Sequence, residues 1–395
     1  MTKFTLPQSA KLTDRSTLDF TIAVLEQHFD LSANGYLCQT RDLWQVLVAV
    51  AARQSSIETV CNDLTGAPDS NTVRGYINEQ LTPQKIRALQ RDCNRALASQ
   101  LPVWLRDHPQ EIACDLHDES YYGQYERDDP DNWVCRGEAR DGTTYFYRCA
   151  TAYILRNGVR MTLAVEFVKP GDDLKRILKR LLRRVRALGI RFKRLYLDKG
   201  FCSIPIMRDL LAQTDLPVIM AVPIRGGKGG TRALCQGRGS YRTEHTFRSQ
   251  EHGELTVPLG VVRTFSKRRN GVWKAQWLVY ALLNVPEVPL RKVRKLYRRR
   301  FGIESGYRMM EKVRARTTSH NVALRFLFMG LALLILNIWI ALHWTYLRIK
   351  GRGPRRVARQ HFRLDRMTRF LSRSVEAIYS TVSLVDPPGV KPVTY

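Results

Sequence analysis

The spacing of hydrophobic positions changes near residue 110 and divides the chain into two regimes. Before it, apolar residues recur at helical spacing over 13–29 and 41–52. Ser55-Ser56-Ile57-Glu58 has the form of a capping box and opens a short helix carrying Val60, Cys61 and Leu64. Gly66-Ala67-Pro68-Asp69 is a turn, and Ser70 or Asn71 caps a second helix through Thr72, Val73, Tyr76 and Ile77. Helix, short turn, helix is the outline of a DNA-binding helix-turn-helix, and also of a plain helical bundle; both readings stay open.

From Ile112 the pattern predicts strands. Ile112-Ala113-Cys114-Asp115 is a short apolar strand ending in an acid. Segments 145–155 and 159–168 are rich in Val, Tyr, Phe and Thr, with Arg156-Asn157-Gly158 as a hairpin turn between them. A helix over 173–188, a strand over 194–198 that again ends in an acid, a helix over 203–213 and a strand over 217–222 complete the order β-β-β-α-β-α-β. A Gly/Arg-rich connection over 226–239 lacks the spacing of a phosphate-binding loop. Residues 256–285 alternate as β-structure, 289–316 read as one long basic helix, and 355–379 as a final basic helix before a proline-containing tail.

Residues 322–347 are almost wholly apolar and long enough to cross a bilayer. Arg325, Asn337 and His343 interrupt them, and basic residues flank both sides without a positive-inside bias. The reading adopted is a buried core helix behind the helix that carries Glu304. A single membrane span is the rival. Composition favours a polyanionic partner: 64 Lys+Arg against 36 Asp+Glu give a net charge of +28. The eight cysteines form no CxxC pair and no zinc-finger spacing, so they read as reduced thiols. Met1 to Ser9 holds no apolar run of the kind a signal peptide needs.

Within this basic chain three acids are conspicuous by position. Asp115 ends the first strand, Asp198 ends the fourth in LYLDKGF, and Glu304 lies in YRRRFGIESGYRMMEK. Carboxylates at neighbouring strand ends, completed by one from a packed helix, are hard oxygen ligands of the kind that hold magnesium. Each also has an ordinary reading: a strand-end turn for Asp115, a turn or cap for Asp198, and an ion-pair partner of Arg300 and Arg308 for Glu304. Asp118 is the reserve for the first acid, and Asp128, Asp129 and Asp131 form an acidic surface loop. Tyr297 and Arg300 share the helix face of Glu304, which puts a hydroxyl and a guanidinium beside the acids for phosphate contact; a core tyrosine is the alternative for Tyr297. On the 173–188 helix, Lys175, Arg176, Lys179, Arg180, Arg183, Arg184 and Arg186 alternate with an apolar set. Lys179, Arg180, Arg183 and Arg184 are the DNA-contact candidates there.

These residues resemble the RNase H-like DDE transposases of prokaryotic insertion sequences, of the family-four type with a β-rich insertion before the last acid. That type carries the signature Y-x2-R-x3-E-x6-K. Tyr297, Arg300 and Glu304 match it, whereas position 311 is Glu and Lys312 is one residue late. One residue turns a helical side chain by about 100°, so Arg308, about 40° from Glu304, is the substitute phosphate contact. Arg298 and Arg299 would meet flanking DNA backbone or solvent. The resemblance implies an α/β fold: an RNase H-like mixed-sheet core interrupted by a β-rich insertion, with a helical N-terminal domain and basic C-terminal helices. The expected domains are 1–105 (helical), 106–224 (catalytic core, first part), 225–286 (insertion), 287–348 (core, second part, with the apolar helix) and 349–395 (basic helix and tail).

The function implied is metal-dependent cleavage at transposon ends, followed by transfer of the 3′-hydroxyl into target DNA. Asp115, Asp198 and Glu304 would hold two Mg²⁺ ions, replaceable by Mn²⁺. The partners would be double-stranded DNA and further copies of the chain, a dimer or more, with no membrane, in a prokaryotic cytoplasm at the nucleoid. A nuclease of the same fold that does not join strands, and a catalytically inactive DNA-binding derivative, are the alternatives.

Overall fold

The computed structural model describes residues 11–125, 131–156, 158–227, 229–267, 271, 273–286, 288–349, 351 and 355–384. Asp128, Asp129, Asn157 at the expected hairpin turn and the prolines of the tail lie outside them. The chain divides into two units, one comprising 1–100 and 309–395, the other 101–308.

The first unit is helical: α1 (Asp14–His28), α2 (Thr40–Ala52), α3 (Ile57–Asp63), α4 (Ser70–Gln80) and α5 (Ile86–Ser99), with a two-residue ribbon of β1 (Asn34–Gly35) and β2 (Cys38–Gln39). Thr13 and Ser56 cap α1 and α3. Asp69, rather than Ser70 or Asn71, caps α4 by accepting from the Asn71 amide. From α3 through α4 the chain carries Glu58, Asp63, Asp69 and Glu79 against the single cation Arg74. Their sum is a net charge of −3.

The second unit is built on one nine-stranded sheet. Its strands are β3 (Gln110–Ser120), β4 (Val134–Arg140), β5 (Thr143–Ile154), β6 (Thr162–Val168), β7 (Phe192–Leu197), β8 (Val218–Val222), β9 (Tyr241–Ser249), β10 (Gly253–Lys267) and β11 (Trp273–Leu283). The hairpin-led trio pairs antiparallel as β6-β5-β3. Helix α6 (Leu174–Ala187) and helix α7 (Ile204–Leu211) then make the crossovers to β7 and β8, which run parallel to β3. This is the RNase H-like order expected from the sequence. Two details differ. β4 is an additional strand beside β5. The segment expected as an insertion makes no sheet of its own, because β11 pairs antiparallel with β8 and carries β10 and β9 outward on the same ladder.

The long basic helix is two helices, α8 (Leu290–Tyr297) and α9 (Phe301–Met310), separated by a 3₁₀ turn at Arg298–Arg300 and followed by another at Glu311–Val313. The apolar segment forms α10 (Val322–Tyr346), and 89 % of its most apolar stretch is buried. The expectation that it belongs to the catalytic core is corrected: α10 lies in the helical unit, where α5 is its principal neighbour. A side chain at Gly330 would come within 2.4 Å of the Cys93 sulfur, so the glycine is what lets the two helices approach. Its polar residues are bonded: Arg325 donates to the Ser319 carbonyl at 2.8 Å, and His343 Nε2 meets the Phe362 carbonyl at 2.8 Å. Burial holds the imidazole down at about 4, hence neutral. The ribbon of β12 (Arg348–Ile349) and β13 (Arg356–Val357) leads to α11 (Leu364–Tyr379), shorter than expected, which packs on α1 and α2.

Candidate active site

The sheet register brings the first two acids together. β3 and β7 run parallel with Cys114 opposite Leu197, so the next pair along the ladder is Asp115 and Asp198, on strands about 4.8 Å apart. Asp198 follows the last residue of β7 and precedes a 3₁₀ turn at Lys199–Phe201. β3 runs on to Ser120, so Asp115 lies within the strand and does not end it as expected. Alternation then separates the rivals for the first acid. Asp115 points to one face and Asp118 to the other. Asp118 is held there by Arg148, through Nε at 2.6 Å and Nη2 at 3.0 Å, and by Arg140 at 3.3 Å.

The third acid comes down onto the Asp115 face. Glu304 is on α9, and α9 lies close to β5 because residue 306 is glycine: a Cβ there would stand 2.9 Å from the Tyr153 ring. The preceding 3₁₀ turn directs Arg300 inward, with 6 % of its side chain exposed. Its guanidinium donates through Nη1 to Asp115 at 2.7 Å and through Nη2 to Glu304 at 2.8 Å, and lies 3.7 Å from Asp198. One cation is thus shared by all three predicted carboxylates. The sequence reading gave Arg300 to a phosphate; in this structure its partners are the acids.

Three groups support the cluster. Tyr297 is buried, and its hydroxyl donates to the carbonyl of Leu197 at 3.2 Å, beside Asp198. It is a core tyrosine, contrary to its expected DNA contact. The Tyr307 hydroxyl donates to the Asp115 carbonyl at 3.2 Å and lies 2.7 Å from the hydroxyl of Thr151, the residue paired with Asp115 on β5. Sequence reasoning missed both. The available signals were the position of Tyr307 three residues after Glu304, on the same helix face, and a threonine within an apolar strand.

The charges do not cancel. Asp115, Asp198 and Glu304 against Arg300 leave −2 when ionised. Burial pushes the Asp115 carboxyl up to about 6; Arg300 opposes this shift and the neighbouring Asp198 adds to it. For Arg300, burial works against the charged form, but Tyr297, Asp115, Asp198 and Glu304 outweigh it and raise the guanidinium above its usual value. Three oxygen donors with surplus negative charge are chemically suited to a hard divalent cation. Among the described residues no three such ligands converge on a single point, since these acids are gathered around the guanidinium.

The remaining candidates scatter. Arg298 and Arg308 are exposed. Arg299 pairs with Glu111 on β3. Lys312 lies after α9, in the 3₁₀ turn of the helical unit. On α6, Arg180 and Arg184 are tied to the buried Glu166 of β6 at 2.9 and 2.7 Å, and Lys179 to Asp209 at 2.6 Å; Arg183 is exposed. The DNA-facing row expected on this helix is therefore largely engaged internally.

A family model described as the transposase DDE domain matches residues 127–338. It includes Asp198 and Glu304 and begins beyond Asp115, whose place rests on the register and on Arg300. No curated protein matches the chain. Among solved structures the chain is similar to the piggyBac transposase in its synaptic complex with hairpin DNA, at 12 % identity, with 92 % of this chain and 77 % of that one covered and a TM-score of 0.52. That likeness speaks for the fold. The family match spans more than half of the sequence and, taken with the strand order, settles the class: this chain belongs to the transposase DDE-domain family and is a DNA transposase, an enzyme of phosphoryl transfer.

Proposed function

We propose that the chain cuts double-stranded DNA at the two ends of a mobile element and joins the freed 3′-hydroxyls to a target duplex, with Asp115, Asp198 and Glu304 as its metal ligands. The observation that carries this reading is the gathering of these three acids around one guanidinium, at a local charge of −2 within a protein of +28. Transposase DDE domains use divalent metal ions, and the oxygen donors here favour Mg²⁺, with Mn²⁺ as a substitute and two ions as the working number. Bound there, such ions would activate the attacking oxygen and neutralise the leaving one.

The chain's own residues supply position. The β3–β7 ladder holds Asp115 beside Asp198, Tyr307 and Thr151 fix the backbone at Asp115, and Gly306 lets α9 carry Glu304 close to the sheet. Arg300 balances part of the acid charge. Handling two DNA ends calls for at least two copies of the chain on DNA, a dimer or more, and the cellular place is the prokaryotic nucleoid.

The deciding experiment incubates the full chain and Mg²⁺ with duplexes carrying the element's own ends and a plasmid target. Joined products, lost on chelation, are expected. Cleavage without joined products would favour a nuclease of the same fold.

A further inference from the structure

Glu111 lies four residues before Asp115 on β3, and both side chains leave the same face of the sheet. At about 3.3 Å per residue they are about 13 Å apart. Consecutive arginines reach them, Arg299 to Glu111 and Arg300 to Asp115. Glu111 is already well satisfied, since it also accepts from Arg194 at 3.1 Å and from the Tyr196 hydroxyl at 3.0 Å. Beside it opens a pocket of about 380 Å³ whose walls include Arg156, Arg160, Lys193 and Arg299.

The charge there is unbalanced in the opposite sense to the acid cluster. Arg156, Arg160, Lys193 and Arg299 are four cations against the single Glu111, a sum of +3. Among the described residues no carboxylate pairs with Arg156, Arg160 or Lys193. Two of the cations have neighbours that position them, while Lys193 is exposed. The Arg156 guanidinium lies over the Trp104 ring at 4.9 Å, and Arg160 lines the approach to Gly302, at the start of the Glu304 helix. Cations gathered around one concavity repel each other unless an anion joins them.

We propose that this pocket is a phosphate subsite, which takes a backbone phosphate of the DNA flanking the phosphate that reacts at Asp115. The inference rests on the proposed DNA-cleaving function and adds a second point of attachment to it. Two anchors on one strand face, one acidic and loaded with cations and one basic, would fix both the position and the direction of the DNA strand between them. Arg299 and Arg300, adjacent in sequence, couple the two.

The test is equilibrium binding of a short blunt duplex to the full chain as a function of NaCl. The proteins are the wild type, the three single variants Arg156→Gln, Arg160→Gln and Lys193→Gln, their combination, and Arg160→Lys. Each phosphate contact contributes about 0.9 to the slope of log affinity against log salt. The combined variant should lose about that much slope, and Arg160→Lys should keep it. The wild type provides a second readout through acetylation of Lys193, followed by mass spectrometry; duplex should slow this labelling severalfold. An unchanged slope in the combined variant, or equal Lys193 labelling with and without duplex, overturns the subsite while leaving DNA binding intact. Wild-type binding with no salt dependence would overturn the subsite together with the DNA reading beneath it.

Discussion

Two groups of arginines meet carboxylates on opposite faces of the same sheet, and their balances differ. On the α6 face, Arg180 and Arg184 grip Glu166, whose side chain is 1 % exposed; two cations answer one anion, for +1. On the α9 face, Arg300 alone answers Asp115, Asp198 and Glu304, for −2. The first group is a finished structural ion pair, in which a buried carboxylate has more counter-charge than it needs. The second is short of cations, and further cations are what it is suited to receive. A local imbalance of this kind says more about function than the abundance of arginine along a helix, because basic residues on a helix face are often engaged by carboxylates from neighbouring elements.

Neutralising the acids has the largest expected effect. Asp115→Asn, Asp198→Asn or Glu304→Gln should each lower the cleavage rate by roughly a thousandfold or more, a loss on the scale of removing a preorganised electrostatic group. Circular dichroism should show the fold retained. Near-normal rates in any one of them would remove that residue from the site. Arg300→Met comes next. It leaves three carboxylates without their counter-ion and should cost about 2–4 kcal/mol, below the full penalty for a broken buried pair because Asp198 and Glu304 are partly exposed. Mn²⁺ should raise the melting temperature of this variant more than that of the wild type. A melting point indifferent to Mn²⁺ in both proteins would count against metal binding.

Glu166→Gln tests the other face. It should cost about 1–3 kcal/mol, discounted because both arginines are about one-third exposed, and leave the cleavage rate of the folded enzyme unchanged. A large loss of cleavage at unchanged stability would mean that this pair has a part in the chemistry. The smallest effect belongs to the exposed Arg183. Arg183→Gln should change the salt slope of DNA binding by at most about 0.9, the value of one phosphate contact. A larger change would return α6 to the DNA path.

These differences mark what could be read in advance. Asp198 and Glu304 were legible because a strand end and a helix signature are local properties, visible in LYLDKGF and in the spacing of Tyr297, Arg300 and Glu304. The choice between Asp115 and Asp118 needed the strand to continue past both, so that alternation could send Asp118 to Arg148 on the opposite face. The engagement of α6 was illegible because its counter-charge comes from another element. The one available sign was Glu166, an acid within the otherwise apolar run TLAVEFV. Burial of the 322–346 helix was legible from the polar Arg325 and Asn337 within it, since its apolar composition alone suits a membrane span equally. Its neighbours were not, because a helix apolar all round has no face to indicate a partner. The break before Arg300 was hidden because the sequence there contains neither proline nor a turn-forming pair.

The helical unit is assembled from both ends of the chain, with α1 and α2 meeting α11. During synthesis the ribosome therefore delivers its two halves at different times. The first hundred residues emerge early and lack α10 and α11, while residues 101–308 follow with a complete sheet of their own. The sheet unit has all its parts before the helical unit does, and the older segment must wait, with surfaces such as that around Cys93 uncovered, until Gly330 and the final helix arrive. A chain cut short after residue 308 would carry a complete sheet unit attached to an unfinished bundle.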